Sequence, residues 1–281
     1  MIFVFLLTLS SALFSESMTV NIEFSADDFS IEQKSDFYRV NMEGALELGF
    51  PGEPCIPAIP INILLPPNTK ATNIQISNVE FETLANKINL IPIQPQIIKS
   101  WPIDRDIPFV EPNPQIYSSN NSYPENPIIF SGAGNLSGYS IAGGVLYPIT
   151  YYPASGYLKY IKQAKLSIEY EKYNVLKPIR RTPKSLRIIE AFVTNTVINP
   201  SEMVLYAKHF IIDSLAFDYL IVSKDPILSS SKMDRLKLTL RRQGWNDTLL
   251  NVSSITAADS GEDLAAQIRN KIRQIWLSNG I

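Results

Sequence analysis

The sequence predicts an all-β sandwich followed by the start of an open, parallel α/β domain. The sandwich is predicted for residues 18–171, where short alternating or β-branched pieces are separated by clusters of Pro, Asn and Ser and show no helical stripe. The α/β domain is predicted for residues 217–281, where strand-like and helix-like patterns alternate. Residues 172–216 lie between the two and are predicted to be a linker.

The α/β prediction begins with one cycle of strand and helix. The apolar run Tyr219–Val222 is typical of a strand buried on both faces, as in parallel sheets that are covered by helices. Ser229–Ser231 then offer N-cap oxygens for a helix that runs to Arg242 and is closed by Gly244. This order is that of a strand with its crossover helix.

A second cycle follows, with a strand predicted over residues 249–255. The next helix carries an apolar stripe from Leu264 to Trp276 and stops at Gly280, and Ser260 with Asp263 has the form of a capping box at its start. The chain ends at Ile281, where a third strand should begin. A sheet of two strands leaves apolar surface unburied, so we expect this α/β domain to be truncated.

Within the β region, Leu158–Tyr170 carries the clearest strand pattern, because its apolar residues mark one face of two strand segments. Prolines from Pro51 to Pro67 favour edge strand or loop, and residues 92–127 are expected to form a long irregular excursion. Gly132, Gly134 and Gly138 have a spacing similar to that of a dinucleotide loop. No helical stripe follows them, so we predict turn and bulge positions.

Composition excludes several classes of function. With 25 Lys and Arg against 27 Asp and Glu, the net charge is -2, so the chain offers no basic surface for nucleic acid. One Cys excludes an internal disulfide framework, and one His leaves few ways to build a transition-metal site. No cofactor is expected for these 281 residues.

Residues 1–17 are predicted to be a secretory signal peptide. The uncharged apolar run Ile2–Phe14 is too short to cross a membrane, and Ser15 and Ser17 are small residues suited to cleavage near Met18. The chain is therefore expected to be secreted or surface-located, without a membrane span. The alternative is a buried strand of a cytosolic protein. The predicted linker contains the basic, Pro-containing segment Lys177–Arg187, which would be open to trypsin-like cleavage.

Several motifs together resemble the gingipain-type cysteine peptidases. Residues 52–57, Gly-Glu-Pro-Cys-Ile-Pro, resemble a signature near the start of that family's propeptide, and residues 92–95 and 147–170 resemble later landmarks. The region from Tyr219 is similar to the opening of the family's catalytic domain. Its final helix carries the family's spacing at Gly261, Asp263, Ile268, Arg269, Asn270 and Ile272.

The resemblance implies the amino-terminal part of a secreted cysteine endopeptidase zymogen, in which a β-sandwich prodomain precedes a caspase-like domain. It implies two kinds of partner, the chain's own catalytic domain and protein substrates, and it allows calcium in the complete enzyme. The family's catalytic His and Cys follow later strands, so this fragment should itself be inactive. Cys55 is expected to be a packing residue and His209 structural. We therefore nominate no catalytic, cofactor-binding or metal-binding residue.

A prodomain of this kind would inhibit by placing an exposed loop in the substrate cleft. The segments 101–105 and 132–144 are candidates, with Lys99 or Arg105 as a residue that enters a specificity pocket. The alternative is a secreted adhesion or binding module with a degenerate α/β remnant. A nucleotide-using enzyme ranks last, because no glycine follows the first α/β strand in residues 223–231.

Overall fold

A computed structural model describes residues 16–96, 108–173, 180–212, 217–255 and 260–279. The chain is rich in strands, as predicted for its first part. The strands are β1 Glu16–Glu23, β2 Phe29–Lys34, β3 Phe37–Met42, β4 Leu46–Glu47, β5 Pro57–Leu64, β6 Thr69–Ala85, β7 Ile128–Leu136, β8 Tyr139–Leu146, β9 Ile149–Tyr152, β10 Tyr157–Lys172, β11 Arg180–Arg181, β12 Ile211–Ile212, β13 Tyr219–Ser223 and β14 Asp247–Asn251. The helices are α1 Pro114–Tyr117, α2 Pro183–Thr196, α3 Asp225–Leu228, α4 Ser231–Arg242 and α5 Leu264–Asn279.

The described chain divides into two compact units. The first, called the β unit, comprises the described residues 16–63, 69–96, 108–134 and 141–173. The second, called the mixed unit, comprises the described residues 64–68, 135–140, 180–212, 217–255 and 260–279.

The β unit is built around the long strand β10. This strand pairs antiparallel with β1, β6 and β9. Its predicted inward face is confirmed, since its apolar residues are buried, and register shifts near Gln163 explain why the alternation skips from Tyr160 to Ala164. The buried residues of β10 are Leu158, Tyr160, Ile161, Ala164, Leu166, Ile168 and Tyr170.

A second sheet has the strand order β4-β5-β8-β7. Strands of both sheets contribute to one hydrophobic core, with Ala58 from β5, Ile149 and Tyr151 from β9, and Leu158 and Tyr160 from β10. Two sheets that share a core agree with the predicted β-rich class.

The mixed unit contains helix α2 in the stretch that the sequence predicts to be a linker. Thr182 is its N-cap, because its Oγ1 accepts a hydrogen bond from the Ser185 N–H at 3.1 Å, and Pro183 occupies the first turn. The helix lies between β11 and β12, which pair in parallel. Residues 174–179 and 213–216 of the predicted linker lie outside the described residues.

The predicted alternation of strands and helices is present after residue 217. β13 pairs in parallel with β14, from Tyr219 opposite Asp247 to Ser223 opposite Asn251. Between them lies α4, whose N-cap Ser230 accepts from the Met233 N–H, and Gly244 follows with a positive φ of 77°. The prediction that β13 is buried on both faces is wrong, because its residues are exposed or half-buried.

The start of α5 also differs from the prediction. Asp263, and not Ser260, is the N-cap, since its Oδ1 accepts from the Ala266 N–H at 2.7 Å. Gly280, the predicted stop, lies outside the described residues, as does most of the predicted signal peptide. None of the helices in the described part of the chain is long and apolar enough to cross a bilayer.

Candidate functional site

Cys55 is a packing residue and not a nucleophile. Its side chain is 2% exposed in the β unit, and its N–H donates to the carbonyl of Ile91 at 2.9 Å. Burial, and secondly the neighbouring Glu47 carboxylate, raise the pKa of the Cys55 thiol to about 12. The thiol therefore stays protonated at physiological pH, whereas a nucleophilic cysteine needs a lowered pKa.

His209 belongs to an aromatic cluster in the mixed unit. Its ring stands edge-on to Tyr206 and Phe210, with centroid distances of 5.2 and 5.0 Å. Partial burial lowers the pKa of His209, and a hydrogen bond with the Gly138 backbone opposes this shift. The expectation of a structural histidine agrees with these contacts. In the described ranges no group of three or more His, Cys, Asp or Glu side chains could hold a metal ion.

The glycine-rich stretch forms the hairpin of β7 and β8. Ser137 and Gly138 both have positive φ, 51° and 92°, and the Asn135 Oδ1 accepts from the Gly138 N–H at 2.6 Å. A strand follows the turn, not the helix N-terminus that a phosphate loop requires. The predicted turn position at Gly138 is confirmed.

The tip of this hairpin is held by residues of the mixed unit. The Arg181 Nη2 donates to the Ser137 carbonyl at 2.9 Å. The Tyr139 ring is fully buried, with its centroid 4.6 Å from that of Tyr206 and 4.9 Å from that of Phe210. The tip was predicted as a segment that reaches into a partner, but it is engaged within its own unit. The other candidates, residues 101–105 with Lys99, lie outside the described residues.

Two buried polar side chains fasten residues 180–212, which we call the anchored segment. The Asn199 side chain bonds both backbone groups of Leu64: its Oδ1 accepts from the N–H at 2.7 Å and its Nδ2 donates to the carbonyl at 2.8 Å. The Tyr206 hydroxyl donates to the Leu65 carbonyl and accepts from the Ser140 N–H, both at 2.9 Å. The anchored segment thus satisfies strand-end groups that would otherwise be buried without partners.

A comparison with protein-family models identifies the family of this chain. The model described as Propeptide_C25 matches residues 7–210, which is most of the chain and ends inside the anchored segment. The chain belongs to this propeptide family of gingipain-type cysteine peptidases.

Two solved structures are similar to this propeptide family member. The first, "Complex of Porphyromonas gingivalis RgpB pro- and mature domains", has 14% identity and a TM-score of 0.49, covering 66% of this chain and 94% of that one. The second concerns the zymogenic latency of gingipain K from Porphyromonas gingivalis. It has 17% identity and a TM-score of 0.43, covering 55% of this chain and all of the other. A search of curated proteins finds no match.

In the described part of the propeptide's basic segment, several side chains already have partners. The Arg181 guanidinium lies over the Phe210 ring, 6.0 Å from its centroid. The Lys184 ammonium donates to the Gln243 carbonyl and lies 3.9 Å from the centroid of the Trp245 ring. Between them, Thr182 is buried. Cleavage at 181–184 therefore requires local unfolding, because a peptidase must extend the chain that it cuts.

Sequence reasoning missed Asn199 and Tyr206. Neither residue belongs to a motif with a recognised chemical role. The only local indications are the Asn-Pro pair at 199–200 and a tyrosine in an apolar context.

Proposed function

We propose that residues up to about 212 form the propeptide of a secreted gingipain-like cysteine endopeptidase and keep that enzyme latent. The family match over residues 7–210 carries this proposal. The partner is the propeptide's own catalytic domain, and the ultimate substrates are proteins. Export through the apolar segment at residues 1–17 belongs to the same proposal, as does any calcium site in the complete enzyme.

We further propose that β13, α4, β14 and α5 are the opening elements of the caspase-like peptidase domain. The parallel pairing of β13 with β14 supports this assignment, since the helix between them has the place of a crossover connection. The chain itself is then inactive as a peptidase. Its one cysteine is buried and protonated, and its one histidine lies in an aromatic cluster.

Latency in such a precursor depends on a short tether. Residues 213–218 separate β12 from β13, and six residues span at most about 20 Å. A tether of this length holds two binding surfaces at an effective concentration on the order of millimolar. Inhibition within one molecule can therefore be nearly complete, while inhibition after cleavage depends on the concentration of the released propeptide.

Titration of the mature peptidase with this chain tests the proposal. We expect the rate of peptide hydrolysis to fall with increasing chain concentration, and the inhibition to be lost when the chain is first unfolded by heat. The absence of inhibition at micromolar chain concentration would overturn the inhibitory function. If the peptidase instead hydrolysed the chain rapidly and was not inhibited, the chain would be a substrate. This result would also contradict the inhibitory function.

A further inference from the structure

Phe50 stands out on the surface of the β unit. Its side chain is 77% exposed, the highest value among the large hydrophobic residues of the described part. Single apolar residues on a surface are common and need no explanation. Phe50 differs from them in how firmly its backbone is held, because Gly52, two residues later, is already buried.

The backbone at Phe50 forms a type II turn over Phe50–Glu53. The Glu53 N–H donates to the Phe50 carbonyl at 3.1 Å. Pro51 occupies the second position, where its fixed φ is favoured, and Gly52 occupies the third with a φ of 93°. Pro51 is exposed beside Phe50, whereas Gly52 is buried. The turn thus exposes two apolar residues, Phe50 and Pro51, while its base, Gly52 and Glu53, is buried or half-buried.

The Glu53 side chain stabilises this turn through two hydrogen bonds. Its Oε2 accepts from the Phe50 N–H at 2.9 Å and from the Tyr123 hydroxyl at 3.1 Å. At Gly49, whose φ is 147°, an added Cβ would lie 2.7 Å from the Ile93 Cδ1 and 2.8 Å from the same Glu53 oxygen, so these two side-chain ends would have to shift.

Neighbouring backbone fixes the base of the turn on two further sides. The Gly52 N–H donates to the Ile93 carbonyl at 2.9 Å, and the Ile93 N–H donates to the Glu53 carbonyl at 2.7 Å. On the other side, the Asn113 N–H donates to the Gly52 carbonyl at 2.9 Å. The Gly-Glu-Pro-Cys-Ile-Pro motif at residues 52–57 therefore builds a rigid base that presents Phe50.

A rigid, exposed aromatic side chain is the kind of group that anchors a protein interface. Aromatic anchors supply much of the binding energy of an interface, and a backbone that is already ordered loses little entropy on binding. The chain around Phe50 has a net negative charge: residues 39–69 contain Glu43, Glu47 and Glu53 and a single basic residue, Arg39, which pairs with Glu47 at 2.7 Å. Such a surface fits a pocket with a basic rim and disfavours an anionic membrane.

We propose that Phe50 is the anchor by which this propeptide docks on its peptidase, entering an apolar, aromatic-sized pocket with a basic rim. This inference rests on the proposed function, because the peptidase is the partner that the family assigns to a propeptide. It adds a specific contact on the β unit, apart from any loop that enters the substrate cleft.

Binding measurements with matched variants test this anchor. Calorimetry would give the Kd of the chain for the mature peptidase whose active-site cysteine has been blocked. We expect Phe50→Ala to raise this Kd at least about 30-fold, the loss typical of a central aromatic anchor. The control Phe81→Ala removes a ring that is 43% exposed on β6, and we expect it to change the Kd less than about twofold. Both variants should keep the thermal midpoint of the wild type, because the rings are exposed.

Variants of Glu53 separate the contribution of the Phe50 ring from that of the hydrogen bonds that hold its backbone. Glu53→Gln keeps an oxygen that can accept both hydrogen bonds, so its Kd should stay near that of the wild type. Glu53→Ala releases the Phe50 N–H and should weaken binding while the ring is intact. An unchanged Kd in Phe50→Ala, with the wild type still binding, would overturn the anchor and leave the proposed function standing.

Two other outcomes also decide the question. If the wild-type chain does not bind the peptidase, the proposed function and the anchor both fail. If sedimentation shows that Phe50→Ala abolishes self-association while peptidase binding is retained, Phe50 contacts a second copy of the chain and the proposal is wrong.

Discussion

Residues 16–212 and residues 217–279 differ in how deeply they bury their apolar side chains. The first region contains many side chains that are wholly inaccessible, among them Ile63, Leu90 and Tyr151. In the second, the buried hydrophobic residues of the described part are Met233, Leu250 and Ile255, at 7%, 7% and 8% exposure. Large apolar residues on its surface are Tyr219, Ile227, Leu236, Leu238, Leu249, Leu264, Ile272 and Leu277.

Local structure does not account for this difference. α4 and α5 have side-chain N-caps, and Gly244 follows α4 with the positive φ typical of a C-terminal glycine. Caps set where a helix begins and ends, but most helical stability comes from packing of the apolar face. The change in burial follows the end of the family match at residue 210. From this difference in burial we expect the first region to contribute most of the stability of the chain.

The largest expected effect is on the anchored segment. Asn199→Ala leaves both backbone groups of Leu64 buried without partners, at a cost of about 2–4 kcal/mol in the free energy of unfolding. Urea denaturation would measure this loss. Asn195→Ala, at an exposed position of α2, is the matched control and should be within about 0.5 kcal/mol of the wild type. A free energy of unfolding for Asn199→Ala equal to that of the control would mean that residues 180–212 do not share the stability of the first region.

A smaller loss is expected for Tyr206→Phe. The substitution keeps the ring in the aromatic cluster and removes only the hydroxyl that bonds the Leu65 carbonyl and the Ser140 N–H. We expect a loss of about 1–3 kcal/mol in the free energy of unfolding. Tyr173→Phe, at a side chain that is 56% exposed, should be neutral. Equal denaturation midpoints for the two variants would contradict the role assigned to Tyr206.

Alkaline pH should destabilise the first region through Cys55. The unfolded thiol loses its proton near pH 9.0, whereas the buried thiol keeps it to about pH 12. The unfolded state therefore binds fewer protons between these values, so stability is full below pH 9 and falls as pH rises, by about 1.4 kcal/mol per pH unit. Burial also raises the pKa of Tyr117 and Tyr123, which adds to the fall.

Comparison with Cys55→Ala isolates the thiol. This variant loses packing at every pH, but its free energy of unfolding should decline less steeply above pH 9 than that of the wild type. Parallel pH curves for the two proteins would show that Cys55 is not as buried as the structure describes.

The smallest effect is expected in the second region. Asp263→Ala removes the N-cap of α5, with an expected loss of about 0.5–1 kcal/mol. Hydrogen exchange in the first turn of α5 would report it, with the exposed neighbour Glu262→Ala as the control. If Asp263→Ala instead lowered the stability of the whole chain as much as Asn199→Ala does, the two regions would form a single cooperative unit.

Sequence periodicity predicts those strands and helices whose local residue pattern matches the way they pack in the structure. β10 was predicted from alternation, and α4 was predicted from its serines and Gly244. α2 differs from the predicted linker, because Pro183 and the basic residues around it are also features of linkers. Thr182 followed by Pro183 is nevertheless a common pattern of N-cap and first helical residue, and it could have identified this helix.

The anchors could not be predicted from the sequence, because their partners are far away along it. Asn199 lies 135 positions from Leu64, and Tyr206 lies 141 positions from Leu65. No local period encodes a contact of that range. The base of the Phe50 turn likewise rests on contacts of Gly52 and Glu53 with Ile93, Asn113 and Tyr123, so a Phe-Pro-Gly-Glu sequence predicts the turn but not the residues that hold it.

The activity of the complete, uncleaved precursor tests the latency proposal most directly. Peptide hydrolysis would be measured for the intact precursor and again after residues 16–212 have been released and removed. We expect the intact precursor to be on the order of a hundredfold less active, because a tethered inhibitor acts at millimolar effective concentration. An intact precursor as active as the processed enzyme would contradict the assignment of this chain as a latency-maintaining propeptide.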